Sequence, residues 1–146
     1  YLVTTDEHPA RKASLLSREY VQTKNRDAWL NLYAEEAIIE DPIGISHIDP
    51  EGKGHRGKAA REAFWDNFIA PADIEIEIKE SYAAGNEVAN LVELTITIPG
   101  EEKKALQQKV FGIFTYTVND EGKLLSLRGY WETDNPKNSL SEIELK

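Results

Sequence analysis

Ala37-Ile38-Ile39-Glu40-Asp41-Pro42-Ile43-Gly44 is an apolar run that ends in a carboxylate and is stopped at once by proline and glycine. Read as a strand, its period-2 alternation puts Ala37, Ile39 and Asp41 on one face and Ile38 and Glu40 on the other. Asp41 then shares its face with aliphatic side chains. A carboxylate at an apolar strand end is partly desolvated, which raises its pKa and suits it to accepting protons. The same residues also allow a structural reading, in which Asp41 bonds backbone N–H groups of the following turn.

On the N-terminal side of this stretch, Pro9 stands where a first helical turn begins. From there to about Asn25 a helical stripe of Ala13, Leu16, Ser17, Tyr20 and Val21 recurs, with Arg11, Lys12, Arg18 and Glu19 mainly outside it. The inner face carries two hydroxyls, Ser17 and Tyr20, one turn apart. Tyr20 reads equally as a core-edge tyrosine with a solvated hydroxyl. Asn25-Arg26-Asp27 offers a new cap, and Ala28 to Glu35 reads as a short second helix running into the strand.

On the C-terminal side, a polar loop from Ile45 to Gly57 holds His47 and His55. Two histidines without further close ligands do not make a zinc site, so no metal is expected. Lys58 to Ile69 reads as a third helix, with Ala60, Ala63, Phe64 and Phe68 on one stripe and Trp65 to its side, ended by Ala70-Pro71. Period-2 patterns follow. Ile74, Ile76 and Ile78 oppose Asp73, Glu75, Glu77 and Lys79, and Val88, Val92, Leu94, Ile96 and Ile98 come after the Ala84-Gly85-Asn86 turn. After Pro99-Gly100-Glu101, Val110, Phe114, Tyr116 and Val118 share one face, with Phe111 and Ile113 on the other. A hairpin over Asn119-Asp120-Glu121-Gly122 returns through Leu125, Leu127, Gly129 and Trp131. Beyond Asp134-Asn135-Pro136 the tail is polar and is expected to fray.

Three helices near the front, one strand among them, then four long antiparallel strands make an α+β fold. A curved meander of this kind, with helices across one face, forms a half-open cone whose interior is the natural place for a pocket. The 146 residues fit one domain with a real core. A net charge of −9 argues against nucleic acid or anionic membrane as partners and leaves a small organic ligand. The chain has no cysteine, so thiol chemistry and disulfides are excluded. The apolar runs are too short to span a membrane, and the charged Asp6-Glu7-His8 start does not read as a signal peptide, so a soluble, cytoplasmic protein is expected. The sequence shows no phosphate-cradling glycine loop or nucleophile elbow, so no cofactor is expected either.

Tyr33-Ala34-Glu35-Glu36-Ala37-Ile38-Ile39-Glu40-Asp41-Pro42-Ile43-Gly44, then Gly57-Lys58-Ala59-Ala60-Arg61-Glu62-Ala63-Phe64-Trp65, and the Asn119 to Trp131 segment resemble the ketosteroid isomerase branch of the nuclear transport factor two-like (SnoaL-like) superfamily. The acidic-Asp-Pro-aliphatic-Gly signature carries most of that resemblance. It implies a cone-shaped α+β barrel of curved antiparallel or mixed sheet, three N-terminal helices over its mouth, a homodimer formed through the sheet, and an apolar pocket for a flat polycyclic ligand. It also implies that Asp41 shuttles a proton between two carbons beside a ketone.

In that family the dienolate oxygen is stabilised by a helix-one tyrosine and a protonated Asp on a late strand. Counting back from Asp41 puts the tyrosine position at Ser17, while a three-residue shift brings in Tyr20. Counting back from Gly122 puts the late-strand acid at Phe114, and no carboxylate lies between Ala105 and Val118. Trp65 stands at a usual tyrosine position, Tyr33 matches another, and Trp131 matches an aromatic pocket position. Losing one oxyanion donor typically costs about 2.7–4 kcal/mol of barrier, so the departures touch the oxyanion hole rather than the base or the cavity. The expected catalytic set is Asp41 with Tyr20 or Ser17, and the expected ligand contacts are Tyr33, Phe64, Trp65, Phe114, Tyr116 and Trp131. Two functions follow: an isomerase acting on 3-oxo-Δ5 steroids or related ketones, and a module that binds such a ligand without turnover. A structural dimer with a filled cone is the third.

Overall fold

The computed structural model describes residues 8–145, so Asp6 and Glu7 of the charged start lie outside the described residues. The elements are α1 (Pro9–Thr23), α2 (Arg26–Leu30), β1 (Tyr33–Glu40), β2 (His55–Arg56), α3 (Lys58–Phe64) continued by one π-helical turn (Trp65–Ile69), β3 (Asp73–Ala84), β4 (Glu87–Pro99), β5 (Lys104–Val118), β6 (Leu124–Tyr130), a 3₁₀ turn (Pro136–Asn138) and β7 (Leu140–Glu144). The sheet order is β2-β1-β6-β5-β4-β3, with β7 on β5. All pairings are antiparallel except β1 with β6, so the curved, open sheet is mixed and the fold is α+β.

β5 organises the sheet because of its length. One edge pairs with β4 from end to end, and the other is shared by β6 over its second half and β7 over its first. The expected frayed tail is therefore a strand, with Leu140 opposite Gln108 and Glu144 opposite Lys104. Its polar composition gave no strand signal; the vacant N–H and C=O groups of the β5 edge supply the pairing.

α1 begins at Pro9, as the sequence suggests. His8 Nδ1 accepts from the Ala10 N–H, Pro9 opens the helix, and Lys24 ends it in the left-handed region at φ 60°. Its buried side, however, includes Ala10, Arg11 and Ser14 beside Ala13, Ser17 and Val21. Arg11 was expected outside, but its guanidinium reaches over to the Ser81 hydroxyl and carbonyl at the edge of β3. Arg18 and Gln22 bond Ile76 of the same strand, so α1 covers that open edge with polar side chains.

Two further expectations are corrected. The second helix stops at Leu30, and Tyr33 to Glu36 belong to β1, where Tyr33 pairs with Leu124 of β6 and the Leu32 carbonyl accepts from the Leu124 N–H. In the third helix Ala63 is exposed, and the buried stripe is Arg61, Phe64, Trp65 and Ile69. The π turn, closed by Ala70 N–H to the Trp65 carbonyl, rewinds the helix so that Ile69 faces inward with Trp65.

Candidate functional site

β1 delivers Asp41 to the interior as the alternation requires: Ala37 and Ile39 are 1% and 0% exposed, and Asp41 follows on their face. The segment beyond Asp41 is tied to β6 through Ile43 N–H to the Gly129 carbonyl. Gly129 is what lets the chain come so close. A Cβ there would stand 2.8 Å from the Phe114 ring and 3.1 Å from Asp41 Oδ1. Two residues later, Trp131 Nε1 donates to Asp41 Oδ1 at 2.8 Å, and Oδ2 receives no hydrogen bond from any described residue. Burial pushes the Asp41 carboxyl up to about 6, the indole N–H pulling only partly the other way.

A cavity of about 220 Å³ opens in front of this carboxylate between the helices and the inner faces of β3 to β6. Its wall carries aliphatic side chains from β3, β4 and β5, such as Ile76, Val92, Leu94 and Val110, and aromatic ones from Phe64, Phe68, Phe114 and Trp131. The polar groups in the wall are Ser17, Asp41, His47, Asn67, Gln108 and Tyr116, with the indole N–H groups of Trp29 and Trp131 turned to Ser17 and Asp41.

The expected site residues divide into two groups. Asp41, Ser17, Phe64, Phe114, Tyr116 and Trp131 meet at the cavity. Tyr20, Tyr33 and Trp65 do not line it: Tyr20 is half-buried against the core, and Tyr33 and Trp65 are buried in an aromatic cluster around Trp29, at centroid distances of 4.8 and 5.3 Å from it. Tyr20 sits one turn beyond Ser17, so only one of the two hydroxyls reaches the cavity wall. His47 is at the cavity, whereas His55 packs edge-on against Phe64. Among the described residues no group of three or more His, Asp or Glu side chains is placed to hold a metal ion, and no helix is long and apolar enough to cross a membrane.

Two features escaped the sequence reading. Trp29 Nε1 donates to Ser17 Oγ at 3.2 Å, a contact between separate helices that no spacing rule predicts. Tyr33 and Tyr116 each interact with both Ser17 and Asp41. Burial pushes both phenols up, the Asp41 charge adds to the shift of each, and the Ser17 hydroxyl works against it in both. The Tyr33 hydroxyl is sealed in, with no partner of hydrogen-bonding geometry among the described residues.

The SnoaL-like domain model matches residues 17–127. No curated protein matches the chain. Among solved structures, the Delta 5-3-ketosteroid isomerase from Mycobacterium sp. is 35% identical over 93% of this chain and 99% of its own, with a TM-score of 0.81. A Mycobacterium tuberculosis protein crystallised with estradiol-17beta-hemisuccinate is 37% identical over 88% of this chain and 97% of its own, also at 0.81. A computationally designed 17-OHP binder is 33% identical over 92% of this chain and all of its own, at 0.85.

Proposed function

Because the chain belongs to the SnoaL-like domain family, with ketosteroid isomerase among its structural neighbours, we propose that it moves a proton next to the carbonyl of a steroid-like or other polycyclic ketone, using Asp41 as the base. The observation that carries this reading is a carboxylate, drawn out of water at the wall of a largely apolar cavity, with a pKa of about 6. Such a group is ionised at neutral pH yet close enough to neutrality to give the proton back. Trp131 holds Oδ1, so Oδ2 is the atom that takes the proton. The C–H bond beside the carbonyl breaks, its electron pair spreads to the carbonyl oxygen as an enolate or dienolate, and Asp41 returns the proton to another carbon of the conjugated system. The apolar wall keeps water from competing for that proton.

The test is steady-state isomerisation of a 3-oxo-Δ5 steroid between pH 5 and 9, followed by the absorbance of the conjugated enone. Asp41-dependent turnover supports the reading, and its absence with every related ketone would remove it.

A second reading is binding without turnover, and Phe114 is the observation that favours it. An apolar ring stands 5% exposed beside Asp41 and Gly129, where the family resemblance puts an acid. Unchanged steroid affinity in Asp41→Asn together with no turnover in the parent chain selects this reading.

Either function is proposed for a homodimer paired through the outer face of the sheet. Leu91, Ile113 and Tyr130 lie directly opposite one another on three adjacent strands and are 36%, 43% and 49% exposed, with Phe111 beside them. Sedimentation of the parent chain against Ile113→Glu tests the pairing.

A further inference from the structure

The proposed proton transfer develops negative charge on the ligand's carbonyl oxygen, and Phe114 has nothing to offer it. We infer that Tyr116 donates the hydrogen bond to that oxygen, with Ser17 and Trp29 as positioning residues that fix the direction of its hydroxyl. This rests on the Asp41 reading above and assigns the other half of the same site.

Tyr116 lies two residues beyond Phe114 on β5, so both side chains leave the same face of the strand and enter the same cavity wall as Asp41 and Ser17. The direction of the hydrogen bonds follows from what each group can do. An indole N–H only donates, so Ser17 Oγ is the acceptor of the 3.2 Å bond from Trp29. The Ser17 proton is then left to turn to another oxygen, and the two phenols that interact with Ser17 are Tyr33 and Tyr116. Tyr33 is sealed behind the wall, whereas Tyr116 is part of it. A phenol oxygen that accepts from Ser17 keeps its own proton for the cavity, and the order Trp29 to Ser17 to Tyr116 to ligand runs donor to acceptor throughout.

Two other donors in the wall are engaged elsewhere, and the remaining ones, His47 and Asn67, belong to exposed residues. The Trp131 N–H is held by Asp41, and the Gln108 amide donates to the Asn138 carbonyl at 2.9 Å. Burial keeps the Tyr116 phenol protonated, as a donor must be, and the nearby Asp41 charge reinforces this. The ligand class that fits is a neutral ketone or a phenol whose oxygen points down the cavity, since an anionic head would meet the Asp41 carboxylate.

The test uses the full chain and testosterone carrying an isotopic label at its ring carbonyl, read by infrared difference spectroscopy together with the dissociation constant. Tyr116→Phe is expected to move the bound carbonyl stretch to higher frequency and to weaken binding about five- to tenfold. Replacement of Tyr116 by a fluorotyrosine of nearly the same size, a more acidic phenol, is expected to move the stretch the other way. Ser17→Ala should give a smaller shift in the direction of Tyr116→Phe, and Ser17→Thr should restore the parent frequency. A stretch that ignores both Tyr116 changes while testosterone still binds overturns the inference and leaves Asp41 untouched. The same holds if the effect belongs to Tyr33→Phe or Tyr20→Phe instead. Failure of the parent chain to bind any such ketone overturns both readings together.

Discussion

Arg61 and Asp41 are charges withdrawn from water at opposite ends of β1, and the protein treats them differently. Arg61 is 3% exposed; its Nη1 donates to the carbonyls of Glu35 at 3.1 Å and Ala37 at 3.4 Å, and its guanidinium sits 5.5 Å from the Tyr33 ring centre. Among the described residues Asp41 has one hydrogen-bond partner, Trp131, and an open oxygen. Burial lowers the arginine and raises the aspartate. The arginine starts so high that it stays charged regardless, while the aspartate is carried toward neutrality. Burial thus yields a fixed structural cation at one end of the strand and a proton carrier at the other.

The largest expected effect separates the two ends by rate. Asp41→Asn should lower turnover of a 3-oxo-Δ5 steroid by about 10²- to 10⁴-fold, the range of a lost general base, with steroid affinity held within a few-fold. Steady-state kinetics and a binding titration check this. Arg61→Met makes the converse case. It takes the guanidinium from the Glu35 carbonyl and leaves the Ala37 carbonyl only the Gly57 N–H, and should cost about 1–3 kcal/mol in urea unfolding, while the folded fraction keeps its rate.

A third expectation concerns sign. Asp41 sits at about 6 in the fold against 3.8 ordinarily, so the native state holds the proton that the unfolded chain has released across that interval. Stability from this group is full below the lower value and is lost as pH rises through the upper one, a decline of at most about 3 kcal/mol. Activity runs the opposite way, rising with pH around the same midpoint. Denaturation midpoints at several pH values should show the decline in the parent chain and not in Asp41→Asn. The smallest effect is the most local: Trp131→Phe removes the N–H that favours the ionised form, so the midpoint of the pH–rate profile should move above 6 by up to about one unit.

Much of the architecture could be read from short-range pattern. The start of α1 at Pro9, the alternation from Ile74 to Ile98, and the two faces of β5 are set by neighbours within a few residues, and each appears where its pattern put it. The errors fall where a distant partner outvotes the local signal. Tyr33 to Glu35 look helical by composition, yet parallel pairing with β6, about ninety residues away in sequence, draws Tyr33 into a strand. Arg11 reads as a solvent-side residue until the edge of β3 is laid beside it, where Ser81 accepts from its guanidinium.

The same division runs through the site. Sequence by itself determined that Asp41 would end an apolar strand face, because alternation along one strand needs no other element, and that no carboxylate on β5 could face it. Only the tertiary structure decided that Ser17 rather than Tyr20 reaches the cavity, that Trp29 and Trp131 aim their N–H groups at Ser17 and Asp41, and that Tyr116 stands beside Phe114 as a hydroxyl in the wall. Those facts depend on how helices and sheet are rotated about one another. Packing of the whole core fixes that rotation, and no single segment encodes it.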